Sequence, residues 1–162
     1  MVRAAQLGAL LYVLRNALYA AASFPVGSAA DRMDKQTLLS WGYALGAATG
    51  IATAWVFASG VAGLAPLAVI FSLAGVYIAV EDTLEGAIPA DLVASESRGT
   101  AYGLMGSVNG IGDLVASALV GTLWTAASPV SAFMAAAALM ALGAALVLWN
   151  RGVTAGNGPD CS

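Results

Sequence analysis

Apolar positions run through this chain in long stretches separated by short polar breaks. A helix rises 1.5 Å per residue, so about 20 apolar residues cross a hydrocarbon core of about 30 Å. Five stretches reach that length: residues 4–30, 37–59, 64–88, 99–126 and 130–150. The breaks have loop chemistry. Asp31-Arg32-Met33-Asp34-Lys35-Gln36 is charged, Ser59-Gly60-Val61-Ala62-Gly63 is short and neutral, and the stretch from Pro89 to Arg98 is polar. Ser128-Pro129 opens the last stretch, and residues 152–162 read as a Gly-rich, polar, disordered tail. The pattern predicts an all-α integral membrane protein, with five transmembrane helices bundled over residues 1–151.

The tryptophans support this register. Trp41 and Trp149 fall near one face of the membrane, Trp55 and Trp124 near the other, and each lies close to a span end, where indoles settle. Four core tryptophans would be the alternative. Basic residues set the orientation: Arg32, Lys35, Arg98 and Arg151 share one side against Arg3 on the other, predicting a cytoplasmic C-terminus and, with five spans, an N-terminus outside. The opening Met1-Val2-Arg3 and its apolar run imitate a signal peptide, but Arg15 and Asn16 interrupt the apolar region.

Composition sharpens the class. Of 162 residues, 60% are hydrophobic and 9% charged, against about 25% charged in an ordinary soluble domain. With no histidine and a lone Cys161, zinc sites, thiol–imidazole catalysis and disulfide frameworks fall away, and no cofactor is expected. A net charge of −3, with six basic residues scattered singly, offers no nucleic-acid footprint.

The charges inside the spans carry the functional information. Spans two and five have none, whereas span one holds Arg15, span three Glu81, Asp82 and Glu85, and span four Asp113. A charge at mid-membrane costs at least about 2.5–3.5 kcal/mol, so it faces protein or water. Spans one, three and four should therefore line an interior, and spans two and five should face lipid. Polar residues fall in stripes: Tyr12, Asn16, Tyr19 and Ser23 on span one, Tyr77, Glu81 and Glu85 on span three, and Tyr102, Asn109, Asp113 and Ser117 on span four. Arg15 and Asp113 come out at similar depth, where they could form a structural ion pair. Gly42, Gly46 and Gly50 on span two, and Gly106 and Gly110 on span four, are small-residue steps that allow close helix approach; on span four they also allow bending.

Gly27-Ser28-Ala29-Ala30-Asp31-Arg32-Met33-Asp34-Lys35 resembles the loop signature of the major facilitator superfamily, Gly-x-x-x-Asp-Arg-x-Gly-Arg-Lys, found after the second helix of each half. Asp34 stands where that signature has Gly, and Gln36 where a basic residue is common. The stretch Asn16 to Gly27, the stretch Leu84 to Leu92, and Arg98-Gly99-Thr100-Ala101-Tyr102-Gly103 leading into Asn109-Gly110-Ile111-Gly112 are also similar to the superfamily, so the likeness covers about residues 5–150.

The resemblance implies twelve helices in two six-helix halves built from inverted repeats. This chain would hold the equivalents of helices eight to twelve, a partial bundle from the C-terminal half. Helices eight, ten and eleven of that family face the cavity, matching the charged spans here, and helix seven would deliver the N-terminus outside. The implied function is secondary transport of a small solute by alternating access, proton-coupled, in the cell membrane. Arg15 would contact an anionic substrate or hold a carboxylate charged, and Asp113 and Glu81 would carry protons. Tyr12, Asn16, Tyr19 and Asn109 would line the same path. Gly27, Asp31 and Arg32 would belong to a cytoplasmic latch, with Glu85 pairing with Arg32 or Lys35. The expected partners are the lipid bilayer, a small solute, and either the missing N-terminal half or another membrane chain. A structural or regulatory membrane protein is the competing class. An enzyme is set aside, because Glu81, Asp82, Glu85 and Asp91 could hold a hard cation but no phosphate-cradling motif accompanies them.

Overall fold

The computed structural model describes residues 2–61 and 63–156. Five long helices make up almost all of them: α1 (Val2–Ala30), α2 (Lys35–Ser59), α3 (Leu64–Leu92), α4 (Arg98–Ala126) and α5 (Pro129–Gly156), with a short 3₁₀ turn at Ser95–Ser97 before α4. The predicted spans and helices coincide to within a few residues except where helices run on. The polar stretch after Ile88 is shorter than expected, because α3 continues through Pro89 to Leu92. Similarly, α5 passes Asn150 and reaches Gly156, so residues 152–156, expected in the tail, are helical. Residues 157–162 of that tail lie outside the described residues.

The helix ends have local causes. Asp34 caps α2: its carboxylate accepts from the Thr37 N–H at 2.8 Å and from the Thr37 hydroxyl at 2.6 Å, filling an orphan donor of the first turn. The Asp34 that departs from the family signature is thus a helix cap. Gly60 ends α2 with φ of 64°, the left-handed conformation that glycine adopts without a Cβ penalty.

The packing order is α1, α3, α2, α5, α4, each helix lying mainly against its neighbours in that series. Four of the helices are long and apolar enough to cross a membrane. The exception, α2, has the length, but its sequence is dominated by Gly, Ala, Thr and Ser. Its place in the bundle explains that composition. Wedged between α3 and α5, it buries Leu39, Ser40, Gly42, Gly46, Ala47, Thr49 and Ala54. A Cβ on Gly42 would lie 2.7 Å from Val80 of α3, and one on Gly46 would lie 2.6 Å from the Met140 sulfur of α5. On Gly50 it would meet Ala137 at 3.1 Å. The glycine stripe of α2 is therefore a close-packing seam with both neighbours.

This corrects the expectation that spans two and five simply face lipid. The absence of charge on α2 reflects dense packing on one side, while Trp41, Ile51 and Trp55 on its outer side are exposed. Leu84 of α3, fully buried, centres a cluster with Ala30, Leu39 and Val80 that ties three helices together near the charged α1–α2 loop. Trp41, Trp55 and Trp149 are not core residues, each being more than 60% exposed, whereas Trp124 is 43% exposed and packs edge-on against Phe57 of α2 and Phe133 of α5.

Candidate functional site

The acidic residues of α3 front a cleft between α3 and α4. Glu81, Asp82 and Glu85 line one wall, Val108, Asn109, Gly112 and Asp113 line the other, and Tyr43 of α2 contributes from behind. The cleft holds about 490 Å³. It exists because α4 leans on α5 and touches α3 at few positions. Two hydrogen bonds cross between the walls. Asn109 Nδ2 donates to Glu85 Oε2 at 2.7 Å, and the Tyr102 hydroxyl donates to the Gly86 carbonyl at 2.8 Å. Four carboxyl groups thus converge on one space inside the spanning region, which meets the requirement that such groups face protein or a water-filled cavity.

Of the residues expected on the pathway, Glu81, Asn109 and Asp113 come together here, and Glu85, expected in the loop latch, joins them. The residues of α1 do not line this space. The Arg15 guanidinium carbon sits 5.8 Å from the ring centroid of Tyr12 on its own helix, a cation–π placement. The Asn16 amide donates to the Tyr12 carbonyl, and Ser23 to that of Tyr19. Tyr19 interacts with Asp82, linking α1 to the edge of the acidic wall.

The expected Arg15–Asp113 pair is not formed, because α1 and α4 do not pack together and each meets α3 separately. The loop pairing also differs from expectation. Glu85 bonds Asn109, and Lys35 pairs with Asp91 at the far end of α3, giving the ion pair seen among the described residues. That bridge joins the first turn of α2 to the last of α3. Asp31 and Arg32 are exposed, and Gly27 faces Thr83, with 4.0 Å between the methyl of Thr83 and the position of an added Cβ.

Sequence reasoning left Tyr43, Asp82 and Asp91 out of the site. Asp82 carried a signal, since it adjoins Glu81 and a residue inside a span is costly to charge. Tyr43 carried none, because it lies on a span without charges.

The profile of the Major Facilitator Superfamily matches residues 3–160. The chain belongs to that superfamily. It is 30% identical, over 139 residues, to an uncharacterized MFS-type transporter of Methanocaldococcus jannaschii. The match takes in 86% of this chain and 33% of the relative, so the chain spans about one third of the length of that curated protein. No solved structure gives a significant match. As a member of this transporter superfamily with several apolar helices, the chain is a multi-pass membrane protein.

Proposed function

We propose that this superfamily member works as part of a secondary transporter that moves a small solute by alternating access, with the α3–α4 cleft forming one wall of a proton-coupled path. The observation that carries the proposal is the convergence of Glu81, Asp82, Glu85 and Asp113 on a single cleft within helices of a transporter superfamily. Glu81 and Asp113, on opposite walls, are the proton carriers. Each takes up a proton when the cleft opens to one side of the membrane and releases it when the cleft opens to the other. Asn109, holding Glu85, keeps the walls in register. Tyr12, Arg15, Asn16 and Tyr19 on α1 belong to a neighbouring stretch of the same path, joined to the acidic wall through Tyr19 and Asp82.

In this reading α1 to α5 correspond to helices eight to twelve of the family, and the remaining helices complete the solute site from the other side. The C-terminus is cytoplasmic and the host membrane is the cell membrane, as the positions of Arg32, Lys35 and Arg98 support. The loop carrying Gly27, Asp31 and Arg32 forms the latch on that face, and Lys35–Asp91 is its fixed strut.

The test is proton flux into vesicles that hold the chain in its native membrane assembly, followed with an entrapped pH dye. Asp113→Asn should lower solute-driven flux by about a hundredfold or more, the lower end of the ~10²–10⁴-fold that a positioned acid–base group contributes. Glu96→Gln, in the exposed 3₁₀ turn, should leave it unchanged. Flux retained in the Asp113 variant would overturn the proton-carrier role, and an assembly that moves no protons under any solute gradient would overturn the proton coupling.

A further inference from the structure

Tyr43 reaches the acidic wall from inside the bundle. It sits on α2, which carries no charge and whose counterpart in the resemblance lies outside the cavity, yet it lines the α3–α4 cleft. The residue before it explains how. Gly42 lies so close to α3 that an added Cβ would sit 2.7 Å from Val80 and 4.0 Å from the backbone nitrogen of Glu81. The phenol one position on is therefore set beside the acidic stretch. It packs against the cluster of Ala30, Leu39, Val80 and Leu84, and a Cβ on Gly143 of α5 would meet its ring at 3.7 Å. Three helices of this chain thus fix the ring, so its place does not depend on the helices that complete the solute site.

The charges of Glu81 and Glu85 both act on this phenol, but its hydroxyl makes no direct hydrogen bond among the described residues. No buried polar side-chain atom among those residues is left without a partner, so the Tyr43 oxygen opens into the cleft and not into packed protein. Polar groups that face one another beyond direct reach are joined by water where the space is polar and roomy, and a cleft of about 490 Å³ is both. Around the two glutamates stand Tyr77 and Asp82 on α3 itself, and Asn109 and Asp113 from α4. From α1, Tyr19 meets Asp82 and the charge of Arg15 acts on Tyr77.

We propose that Tyr43 is a positioning residue for the acidic wall: its hydroxyl, fixed by α2, α3 and α5, donates through cleft water to Glu81 and Glu85 and sets how readily they give up a proton. This role rests on the reading of the cleft as a solvated proton path and adds to it a control from a helix outside the path. A hydrogen bond to the charged form of a carboxyl favours that form, so losing the donor should make both glutamates hold their protons to higher pH.

The experiment is solid-state NMR of the chain in its native membrane assembly, with isotope-labelled glutamate carboxyls followed as pH is varied. The glutamates of this sequence are Glu81, Glu85 and Glu96. Glu81→Gln and Glu85→Gln assign the first two signals, and Glu96, in the exposed 3₁₀ turn, is the internal reference. Tyr43→Phe keeps the ring and removes the hydroxyl. It should move the Glu81 and Glu85 midpoints up by about one pH unit, the size of one hydrogen bond to a charged group, and leave Glu96 in place. Tyr43→Leu, which also loses ring packing, should lower the unfolding midpoint, whereas Tyr43→Phe should not. Unmoved or lowered glutamate midpoints in the Phe variant would overturn the role of Tyr43 alone, as would a Phe variant as unstable as the Leu one. Glutamates at 81 and 85 that do not respond to pH in the unsubstituted protein would overturn the solvated path itself, and this role with it.

Discussion

Gly75 of α3 lies where the backbone of α1 comes closest: a Cβ there would run into the Arg15 carbonyl oxygen and lie 3.3 Å from Leu18 Cβ. An obstructing side chain can often rotate away, but a backbone carbonyl inside a helix cannot, so Gly75→Ala must push α1 off α3. Gly86, on the same helix, has nothing within 4 Å of an added Cβ. Both substitutions gain the same helix propensity, about 1 kcal/mol, so comparing them removes that contribution. The remaining difference is overpacking, typically 1–3 kcal/mol. Gly75→Ala should accordingly be about 1–3 kcal/mol less stable than Gly86→Ala, about a five- to 150-fold change in the unfolding equilibrium. Titrating the protein in mixed micelles with a denaturing detergent, followed by far-ultraviolet circular dichroism, measures this directly. Equal midpoints, or a more stable Gly75 variant, would refute the close α1–α3 approach and with it the placement of Tyr19 beside Asp82.

Other outcomes follow from the same structure. Asp34→Ala removes both acceptor contacts to Thr37 and should cost about 1 kcal/mol, seen as a lower unfolding midpoint; no change would mean that water replaces the cap without loss. The Lys35–Asp91 pair is partly exposed, 24% and 61%, so Lys35→Ala should cost no more than about 1 kcal/mol and lose its effect in high salt; a larger, salt-independent loss would contradict a simple surface strut. Trp124→Ala removes its edge-on contacts with Phe57 and Phe133, worth about 0.5–1.5 kcal/mol each beyond area burial, and should raise proteolytic cleavage of the α4–α5 turn; an unchanged cleavage rate would argue against this packing of α4 on α2 and α5.

Much of the fold was legible because membrane crossing imposes a length and an apolar composition that appear directly in the sequence. The charged loop after α1 and the exposed tryptophans followed from the same constraint. What stayed hidden was lateral order. Spacing along α1 and α4 put Arg15 and Asp113 at similar depth, but depth does not say which helices are neighbours, and α1 and α4 are not. Lys35 meets Asp91 across 56 residues, a distance that no local pattern signals. For α2, lack of charge was read as lipid exposure, when its small residues in fact record contact with two helices. The glycines of α4 share the spacing of those on α2, yet only the α2 set is packed among the described residues. The acidic wall was readable as a cluster on α3; its partner from α2, Tyr43, was not.

The account rests on the α3–α4 cleft being a water-accessible path inside the membrane. The direct measurement is labelling of single cysteines, in a Cys161→Ser background, with a membrane-impermeant thiol reagent applied to the full chain in its native membrane. Gly112→Cys, on the cleft wall, should be modified, and Leu142→Cys, exposed near the middle of α5, should not. An unreactive Gly112→Cys, or equal modification of both, would contradict a solvated path at this cleft.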